Sequence, residues 1–286
     1  MSEPVLEIRE IVVEYPGRPP VRAVDEVSFE LYPGEVVGLV GESGCGKSTL
    51  ARVLTGLIRP RSGTVLYRGT PLSPLGLGGR SLAETGIQMV FQDPGSSLNP
   101  RRRIGAQIQD GLATAARRKA GLGADVQVGR DRPTSPGAWL ERVGLSAADA
   151  DRFPVSFSGG QRQRIATARA LAAEPDVLIG DEPISALDAS TQAKVAYLMS
   201  TLTTAQGAGM LFISHDLSVV RLIADRLLVM YQGHIVERGS AAEIWNDPHH
   251  PYTRALLGAI PVPDGAGRMP VVTPPGTTYP LHEAVR

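Results

Sequence analysis

The sequence predicts an α/β fold in which a mainly parallel sheet has helices on both faces, joined to an antiparallel β subdomain and an inserted helical subdomain. Short runs that are apolar throughout alternate with helical segments, a pattern typical of parallel sheets covered on both faces. Two longer β-rich segments with rough alternation come first, which indicates the antiparallel part. From Pro94 to Phe157 the pattern becomes helical and irregular, so we expect the insertion to occupy about residues 94–172.

The individual elements can be placed from apolar runs and turn residues. Tyr15–Pro20 is a turn-forming segment between the first two strands. Lys47–Leu57 is predicted as a helix that ends near Gly56 and Pro60. Ala120–Gly137 is rich in Gly, Pro and Asp, and we expect it to be an exposed loop. The predicted strands are Val5–Glu14, Ala23–Leu31, Glu35–Val40, Ile87–Phe91, Val177–Ile179 and Met210–Ile213.

The carboxy-terminal end differs in composition from the rest of the chain. Eight prolines occur from Pro248 to Pro280 inclusive, and only Tyr252–Ile260 has a helical pattern there. We therefore expect one domain over residues 1–245 and an extension over residues 246–286, with a short helix followed by extended or disordered chain.

Composition and charge exclude several classes of protein. The 29 basic and 29 acidic residues balance, so a nucleic-acid partner gains no electrostatic support. A single cysteine, Cys45, excludes a disulfide framework and a multi-cysteine metal site. No apolar run approaches the roughly 20 residues that span a bilayer, and Met1–Arg9 lacks the apolar core of a signal peptide. If the protein works at a membrane, we expect a partner to recruit it there.

A glycine-rich loop carries the first functional pattern. Gly41–Ser48 reads GESGCGKS, which matches G-x-x-x-x-G-K-[ST] between a predicted strand and a predicted helix. Such a loop points backbone N–H groups at phosphates, and the helix N-terminus favours the anion. Lys47 would contact the β- and γ-phosphates, Ser48 would bind Mg²⁺ and Thr49 would lie near the α-phosphate. The alternative is a chance glycine-rich turn. The expected ATP-binding residues are Gly41, Glu42, Ser43, Gly44, Cys45, Gly46, Lys47, Ser48 and Thr49.

Two acidic residues and a histidine follow buried strands. Val177–Glu182 reads VLIGDE, so Asp181 could hold Mg²⁺ directly or through water. Glu182, one residue on, could polarise the attacking water as general base. His215 follows Met210–Ser214 at the same predicted sheet edge, where an imidazole could contact the γ-phosphate and the water. Taken alone, each of these patterns is at least as often structural as functional.

A second helix N-terminus is suited to an anion. Phe157–Gln161 reads FSGGQ before a strongly helical stretch, with Ser158 as a good N-cap and Gly159-Gly160 exposing the first N–H groups. Because the chain already has one phosphate loop for its own ATP, this segment is best explained as serving a nucleotide held by another molecule. An ordinary capped helix is the alternative.

The motifs together resemble the ABC ATPase family. GESGCGKS, FSGGQRQR, LIGDEP, SALD and ISHD stand in that family's order and spacing from Val5 to about Gly239. The resemblance implies a P-loop NTPase core that hydrolyses ATP with Mg²⁺, and an ABC ATPase domain over residues 1–245. Two departures are Phe157, where the family usually has Leu, and Ile184, where Thr or Ser is common. The resemblance also implies that Tyr15 stacks on adenine and that Gln92 links the Mg²⁺ site to the membrane subunits. Two further implications concern a dimer of ATPase subunits. Asp188 would communicate across this dimer, and Ser158, Gly160 and Gln161 would close over the partner's ATP in a head-to-tail sandwich.

Two further segments resemble the ATPases of oligopeptide, dipeptide and nickel importers. They are VFQDPGSSLNPR at Val90–Arg101 and PHHPYTRALLGAIP at Pro248–Pro261. The resemblance implies a peripheral subunit at the cytoplasmic face of the cell membrane. Its implied partners are two permeases, a second ATPase subunit that is the same or a paralogous chain, and an extracytoplasmic substrate-binding protein. The tail would be a partner-contact element, favoured here, or a solvated appendage.

Other functions remain as alternatives. A nickel or metallophore importer would use the same kind of ATPase, because such subunits do not touch the cargo, and peptide is the first choice. A soluble ABC ATPase outside transport is less favoured, since the chain has one ATPase core, no sustained heptads, no cysteine pairs and no net positive charge. A module that binds without hydrolysing is disfavoured because Glu182 and His215 are both present.

Overall fold

The computed structural model describes residues 3–75, 81–93, 97–122, 132–260 and 277–283. Strands and helices alternate along most of this length. In chain order the elements are β1 (Leu6–Tyr15), β2 (Val21–Leu31), β3 (Val36–Val40), α1 (Lys47–Leu54), β4 (Ser62–Tyr67), β5 (Thr70–Pro71), β6 (Ile87–Val90), α2 (Ile104–Leu122), α3 (Pro136–Arg142), α4 (Gly159–Ala172), β7 (Val177–Asp181), α5 (Ala189–Ala205), β8 (Gly209–Ile213), α6 (Leu217–Ile223), β9 (Arg226–Tyr231), β10 (His234–Ser240), α7 (Ala241–Asn246) and α8 (Pro251–Gly258).

The strands form two sheets. The order β2-β1-β4-β5 makes an antiparallel sheet, and the order β10-β9-β3-β8-β7-β6 makes the central sheet. In the central sheet β9, β3, β8, β7 and β6 run parallel, and β10 pairs antiparallel with β9. Every residue of β3, β7 and β8 is buried, because both faces of the sheet are covered. The predicted α/β fold with a mainly parallel sheet and an antiparallel β part is confirmed.

The register of the central sheet aligns the strand ends that matter for function. Leu39 of β3 pairs with Ile213 of β8, and Asp181 of β7 pairs with the same Ile213. The carboxyl ends of these three strands therefore meet at one edge. The chain leaves β3 into the glycine-rich loop there, β7 ends at Asp181, and β8 leads to His215 two residues after its last residue.

The helical part packs α2 against α4, with α3 in contact with both. Its apolar interior includes Ile104, Ile108, Trp139 and Phe157. The expected loop Ala120–Gly137 is too long at both ends, since α2 runs to Leu122 and α3 begins at Pro136. Proline at the first helical position is a start signal, because its missing N–H has no partner there in any case. Residues 123–131 of that loop lie outside the described residues.

The carboxy-terminal segment is joined to the core. Helix α8, expected at Tyr252–Ile260, is observed at Pro251–Gly258, and Tyr252 is only 1% exposed. Glu237 of β10 is fully buried and accepts the backbone N–H groups of His249 at 2.9 Å and His250 at 3.0 Å. The sequence analysis interpreted the tail as a partner-contact element or as a solvated appendage. Neither interpretation predicted this contact with the chain's own core. Of the chain after Ile260, which we expected to be extended or disordered, residues 261–276 and 284–286 lie outside the described residues.

Candidate functional site

The glycine-rich loop between β3 and α1 passes close to neighbouring backbone. Gly46, the residue before α1, has φ of 113°. A Cβ atom at this position would overlap the carbonyl oxygen of Ala23, and one at Gly41 would overlap the carbonyl oxygen of Met230. Glycine is therefore required at both positions by backbone conformation or close approach. The loop opens directly into the N-terminus of α1, which is a favourable place for phosphate.

Lys47 is the first residue of α1, directly after this loop, and is 4% exposed. Its Nζ donates to the carbonyl oxygens of Gly41 and Glu42, each at 2.7 Å. These carbonyl dipoles hold a buried cation at the position where the motif predicts contact with phosphate. The Cys45 thiol lies 3.7 Å from the same Nζ and is also buried. Burial raises the pKa of Cys45, although Lys47 opposes the shift, so this thiol is a poor nucleophile.

Ser48 and Asp181 form a polar pair beside Lys47. The Ser48 hydroxyl donates to Oδ1 of Asp181 at 2.7 Å. Asp181 is 6% exposed; burial raises the pKa of its carboxyl group, and the Ser48 hydrogen bond opposes that shift. A hydroxyl and a carboxylate are oxygen ligands that suit Mg²⁺. Among the described residues no group of three or more His, Cys, Asp or Glu side chains could hold a metal. The Ser48 hydroxyl and the Asp181 carboxylate fit a magnesium ion that takes its remaining ligands from water and phosphate, as Mg²⁺ usually does.

Two side chains from neighbouring strand ends lie close to the carboxylate of Glu182. His215 Nδ1 lies 3.2 Å from Glu182 Oε2, and the amide Nε2 of Gln92 lies 3.5 Å from the same oxygen. The backbone of Glu182 has φ of 45°, and its N–H donates to the carbonyl of Ile213 at 3.0 Å. A positive φ at a non-glycine residue is strained and is found preferentially at functional sites.

Tyr15 ends β1 near the start of α1. Its hydroxyl lies 3.4 Å from Oγ1 of Thr49, and its ring is partly exposed. This arrangement places an accessible aromatic face at the edge of the phosphate loop. The structure thus brings together most of the residues predicted for nucleotide and metal binding, from Tyr15 and Gln92 to His215.

The FSGGQ segment begins α4 with a capping box. The Ser158 side chain accepts the N–H of Gln161 at 3.3 Å, and the Gln161 side chain accepts the N–H of Ser158 at 2.9 Å. A Cβ on Gly160 would lie 3.2 Å from the Thr191 side chain, so α4 starts beside the start of α5.

Asp188 caps α5 next to this segment. Its Oδ1 accepts the N–H of Thr191 at 3.0 Å and the hydroxyl of Ser190 at 2.6 Å, and these hydrogen bonds lower the pKa of Asp188. Among the described residues no hydrogen bond or ion pair joins Ser158–Gln161 or Asp188 to the phosphate loop. The FSGGQ segment and Asp188 therefore form one group of neighbouring residues, joined through Thr191, which Asp188 caps and which lies beside Gly160.

One residue in contact with the phosphate loop was missed from the sequence. The hydroxyl of Tyr252 in α8 accepts the backbone N–H of Glu42 at 2.9 Å. The proline-rich composition predicts an extension that is separate from the site. The available signal was the apolar face of α8, where Tyr252 and Leu256 are four residues apart.

Comparison with known proteins agrees with this geometry. The family model described as ABC transporter matches residues 24–185. The chain belongs to the ABC transporter family. The model described as oligopeptide/dipeptide transporter, C-terminal region, matches residues 236–286. Both matches confirm the resemblance drawn from the motifs and from the tail of this ABC protein.

Several curated relatives are similar over most of the chain. The oligopeptide transport ATP-binding protein OppF of Bacillus subtilis is 46% identical over 267 residues, which cover 92% of this chain and 85% of the relative. The dipeptide transport ATP-binding protein DppF of Haemophilus influenzae is 46% identical over 84% of this chain and 71% of its own length. The glutathione import ATP-binding protein GsiA of Salmonella typhimurium is 43% identical over 94% of this chain, which spans only 43% of the length of GsiA.

Solved structures show the same fold. CbiO1 from Clostridium perfringens, described as part of an ABC transporter complex, superposes with a TM-score of 0.68 at 26% identity, over 86% of this chain and 92% of CbiO1. A second ATP-binding cassette superposes with a TM-score of 0.66 at 24% identity, over 82% of this chain and 98% of that chain. Within the part of the ABC protein that the structure describes, no helix combines the length and apolar character needed to cross a membrane.

Proposed function

We propose that this chain is the ATP-binding and ATP-hydrolysing subunit that powers import by an ABC transporter, with short peptides as the cargo. The observation that carries the proposal is the Ser48–Asp181 hydrogen bond of 2.7 Å beside the buried ammonium of Lys47. It places a hydroxyl, a carboxylate and a cation together at the end of a phosphate loop, which is the set that phosphoryl transfer with Mg²⁺ requires.

The phosphate loop and the residues near it hold the nucleotide and the metal. The N–H groups of Gly41–Ser48 and the Lys47 ammonium bind the phosphates, Thr49 lies at the inner phosphate and Tyr15 stacks on the base. Ser48, Asp181 and Gln92 hold Mg²⁺. The bound Mg²⁺ supplies positive charge at the phosphate oxygens and so stabilises the charge of the transition state.

Glu182 acts as the general base. His215 and Gln92 both reach Oε2 of Glu182, at 3.2 and 3.5 Å. We assign the other oxygen, Oε1, as the acceptor for the proton of the attacking water. Nδ1–H of His215 orients the carboxylate, and its exposed ring can also contact the outer phosphate.

The group formed by the FSGGQ segment and Asp188 completes the site of another subunit. Ser158, Gly159, Gly160 and Gln161 present a helix N-terminus, and Asp188 lies beside them. Since the described residues show no bond between this group and the chain's own phosphate loop, the group fits a head-to-tail pair of ATPase subunits. In that pair each ATP lies between the phosphate loop of one subunit and the capped helix of the other.

The remaining assignments rest on the relatives. Their names refer to oligopeptide, dipeptide and glutathione transport, all of them short peptides.

We place the ATPase domain at residues 1–245, with its helical insertion at about 94–172, and the extension at 246–286. The match of the extension family from residue 236 supports a junction in this region. The partners are a second ATPase subunit, two permeases and an extracytoplasmic binding protein, with this subunit at the cytoplasmic face of the membrane.

The decisive test separates ATP chemistry from cargo. Lys47→Ala is expected to lose most ATP affinity in calorimetric titration, while Lys194→Ala, an exposed lysine on α5, is expected to bind like the parent. Equal affinity in the parent and Lys47→Ala would refute the ATP site.

The cargo is tested by transport. The complex reconstituted in vesicles with its permeases and binding protein is expected to take up a labelled dipeptide or tripeptide when ATP is supplied. Uptake of nickel without uptake of any peptide would overturn the peptide assignment.

A further inference from the structure

Tyr252 is held in place from several directions. Its ring centroid lies 4.4 Å from that of Tyr231 at the end of β9 and 5.5 Å from that of Tyr279. Its backbone N–H donates to Nδ1 of His250 at 3.2 Å, and the N–H of His250 itself donates to the buried carboxylate of Glu237. The position of this side chain is therefore determined by packing and by an anchored helix start.

The hydroxyl of Tyr252 acts on a single peptide group of the phosphate loop. It accepts the N–H of Glu42 at 2.9 Å, and the carbonyl on the other side of that peptide bond, Gly41 C=O, accepts the Lys47 ammonium at 2.7 Å. A peptide group is planar, so its N–H and C=O directions are set together. Orienting the N–H of Glu42 towards Tyr252 therefore aims the Gly41 carbonyl at Lys47.

The turn after β9 supports the same loop. The N–H of Gly233 donates to the carbonyl of Cys45 at 2.9 Å, and Met230 lies against Gly41 closely enough to exclude a Cβ there. Tyr231, between Met230 and this turn, is the residue whose ring contacts Tyr252. The carboxy-terminal segment and the end of β9 thus form one support under the phosphate loop.

We propose that Tyr252 is a positioning residue for the phosphate-binding loop, acting through the Gly41–Glu42 peptide on Lys47, and that docking of the carboxy-terminal segment is coupled to nucleotide binding. The inference rests on the proposed function, because it requires that the loop bind ATP. Coupling is reciprocal: if the docked segment favours the loop conformation that binds ATP, bound ATP stabilises docking to the same extent.

The test removes one hydroxyl and keeps the ring. Tyr252→Phe is compared with Tyr67→Phe, which removes another buried hydroxyl, one that bonds Asp176. Loss of one neutral hydrogen bond corresponds to about a three- to tenfold change in an equilibrium constant. We expect the dissociation constant for ATP to rise by about that factor in Tyr252→Phe and to stay at the parent value in Tyr67→Phe. In the assembled transporter KM for ATP should rise similarly while kcat at saturating ATP is retained.

A second readout separates positioning from general stability. Both variants are expected to unfold at a lower temperature without nucleotide, but only Tyr252→Phe should show a smaller upward shift on adding MgATP. In the parent, MgATP should also slow amide hydrogen exchange in Pro251–Gly258, and this effect should weaken in Tyr252→Phe. If Tyr252→Phe binds ATP as tightly as the parent, or if both variants lose affinity equally, the positioning role is wrong. Failure of the proposed function would give a different result. In that case the parent itself would show no ATP binding that depends on Lys47.

Discussion

Nδ1 of His215 lies 3.2 Å from Oε2 of Glu182, across the carboxyl ends of the neighbouring strands β8 and β7. Glu182 is the first residue after β7 and adopts a φ of 45°. Its neighbour Asp181 keeps the strand conformation and bonds Ser48. Two adjacent carboxylates therefore have different partners, which supports different roles for them.

Glu182→Gln is the direct test of the general base. The amide keeps the size of the side chain but cannot take a proton, so hydrolysis should fall by about 10²–10⁴-fold. ATP affinity should remain near the parent value, because Glu182 is not among the phosphate-loop donors. Steady-state phosphate release measures the rate of hydrolysis, and calorimetric titration measures the affinity for ATP. Glu141→Gln, on the exposed side of α3, is the matched control; a Glu182→Gln protein as active as the parent would exclude the role.

Ser158→Arg tests the composite site. A bulky cation at the start of α4 should block closure on a second subunit while ATP affinity of the isolated chain stays close to normal. ATPase activity of the parent should rise with protein concentration, and activity of the variant should stay low throughout. Mixing Ser158→Arg with Glu182→Gln leaves at most one intact composite site per pair. An isolated monomer whose turnover is independent of concentration, together with a fully active Ser158→Arg, would show that one chain suffices.

Gly46→Ala tests the close approach in the phosphate loop. The new Cβ would overlap the Ala23 carbonyl and the backbone would keep a φ of 113°, so the loop must move. Gly207→Ala is the control, since Gly207 has φ of 73° with open space around it and carries only the left-handed strain of about 1–2 kcal/mol. Thermal unfolding without nucleotide should show a larger loss for Gly46→Ala, and ATP titration should show lost binding for this variant alone. Matching losses of stability in the two variants would argue against the steric account.

The stability of the folded state is expected to depend on pH through His250. Burial lowers the pKa of His250 below 6.5, while the Pro280 carbonyl and Glu237 oppose the shift and His282 adds to it. Below pH 6.5 the unfolded chain takes up the proton before the folded chain does, so the folded state loses stability as pH falls from 6.5 towards the folded pKa. His250→Asn keeps an N-cap acceptor without this titration.

The measurement is thermal unfolding between about pH 7.5 and about pH 5.5, a window that brackets the ordinary pKa of histidine. The parent should lose more stability than His250→Asn across this range, and the two should respond equally above it. Parallel curves across the whole range would contradict the assignment.

Shortening the chain tests whether the tail belongs to the core. Ending at Asn246 removes Tyr252, which is 1% exposed, and both backbone donors to the buried Glu237 carboxylate. Loss of the aromatic ring alone should cost about 3–5 kcal/mol of unfolding free energy. A chain ending at Ile260 retains α8 and should lie much closer to the parent in a urea titration. If the chain ending at Asn246 unfolded at the parent's urea concentration, the tail would be an appendage after all.

The sequence alone predicted strand, loop and helix around GESGCGKS, because its glycines report a local backbone requirement and the motif lies between an apolar run and a helical pattern. Apolar runs likewise placed β3, β7 and β8, since strands covered on both faces have no polar alternation. The predicted boundary was wrong at Pro136, where proline starts a helix within the last two residues of the loop predicted for Ala120–Gly137. Local signals failed at Tyr252, where a proline-rich composition concealed a core residue.

What the sequence determined by itself was therefore the fold class, the family motifs and the edge of the sheet where they gather. Only the tertiary structure decided which atoms meet: Ser48 bonds Asp181 across 133 positions, and Glu42 bonds Tyr252 across 210. The physical reason is that these contacts depend on strand order and on the return of the carboxy-terminal helix to the end of β9. No local periodicity specifies them, because a buried hydroxyl or N–H group can be satisfied by any partner that packing brings within reach.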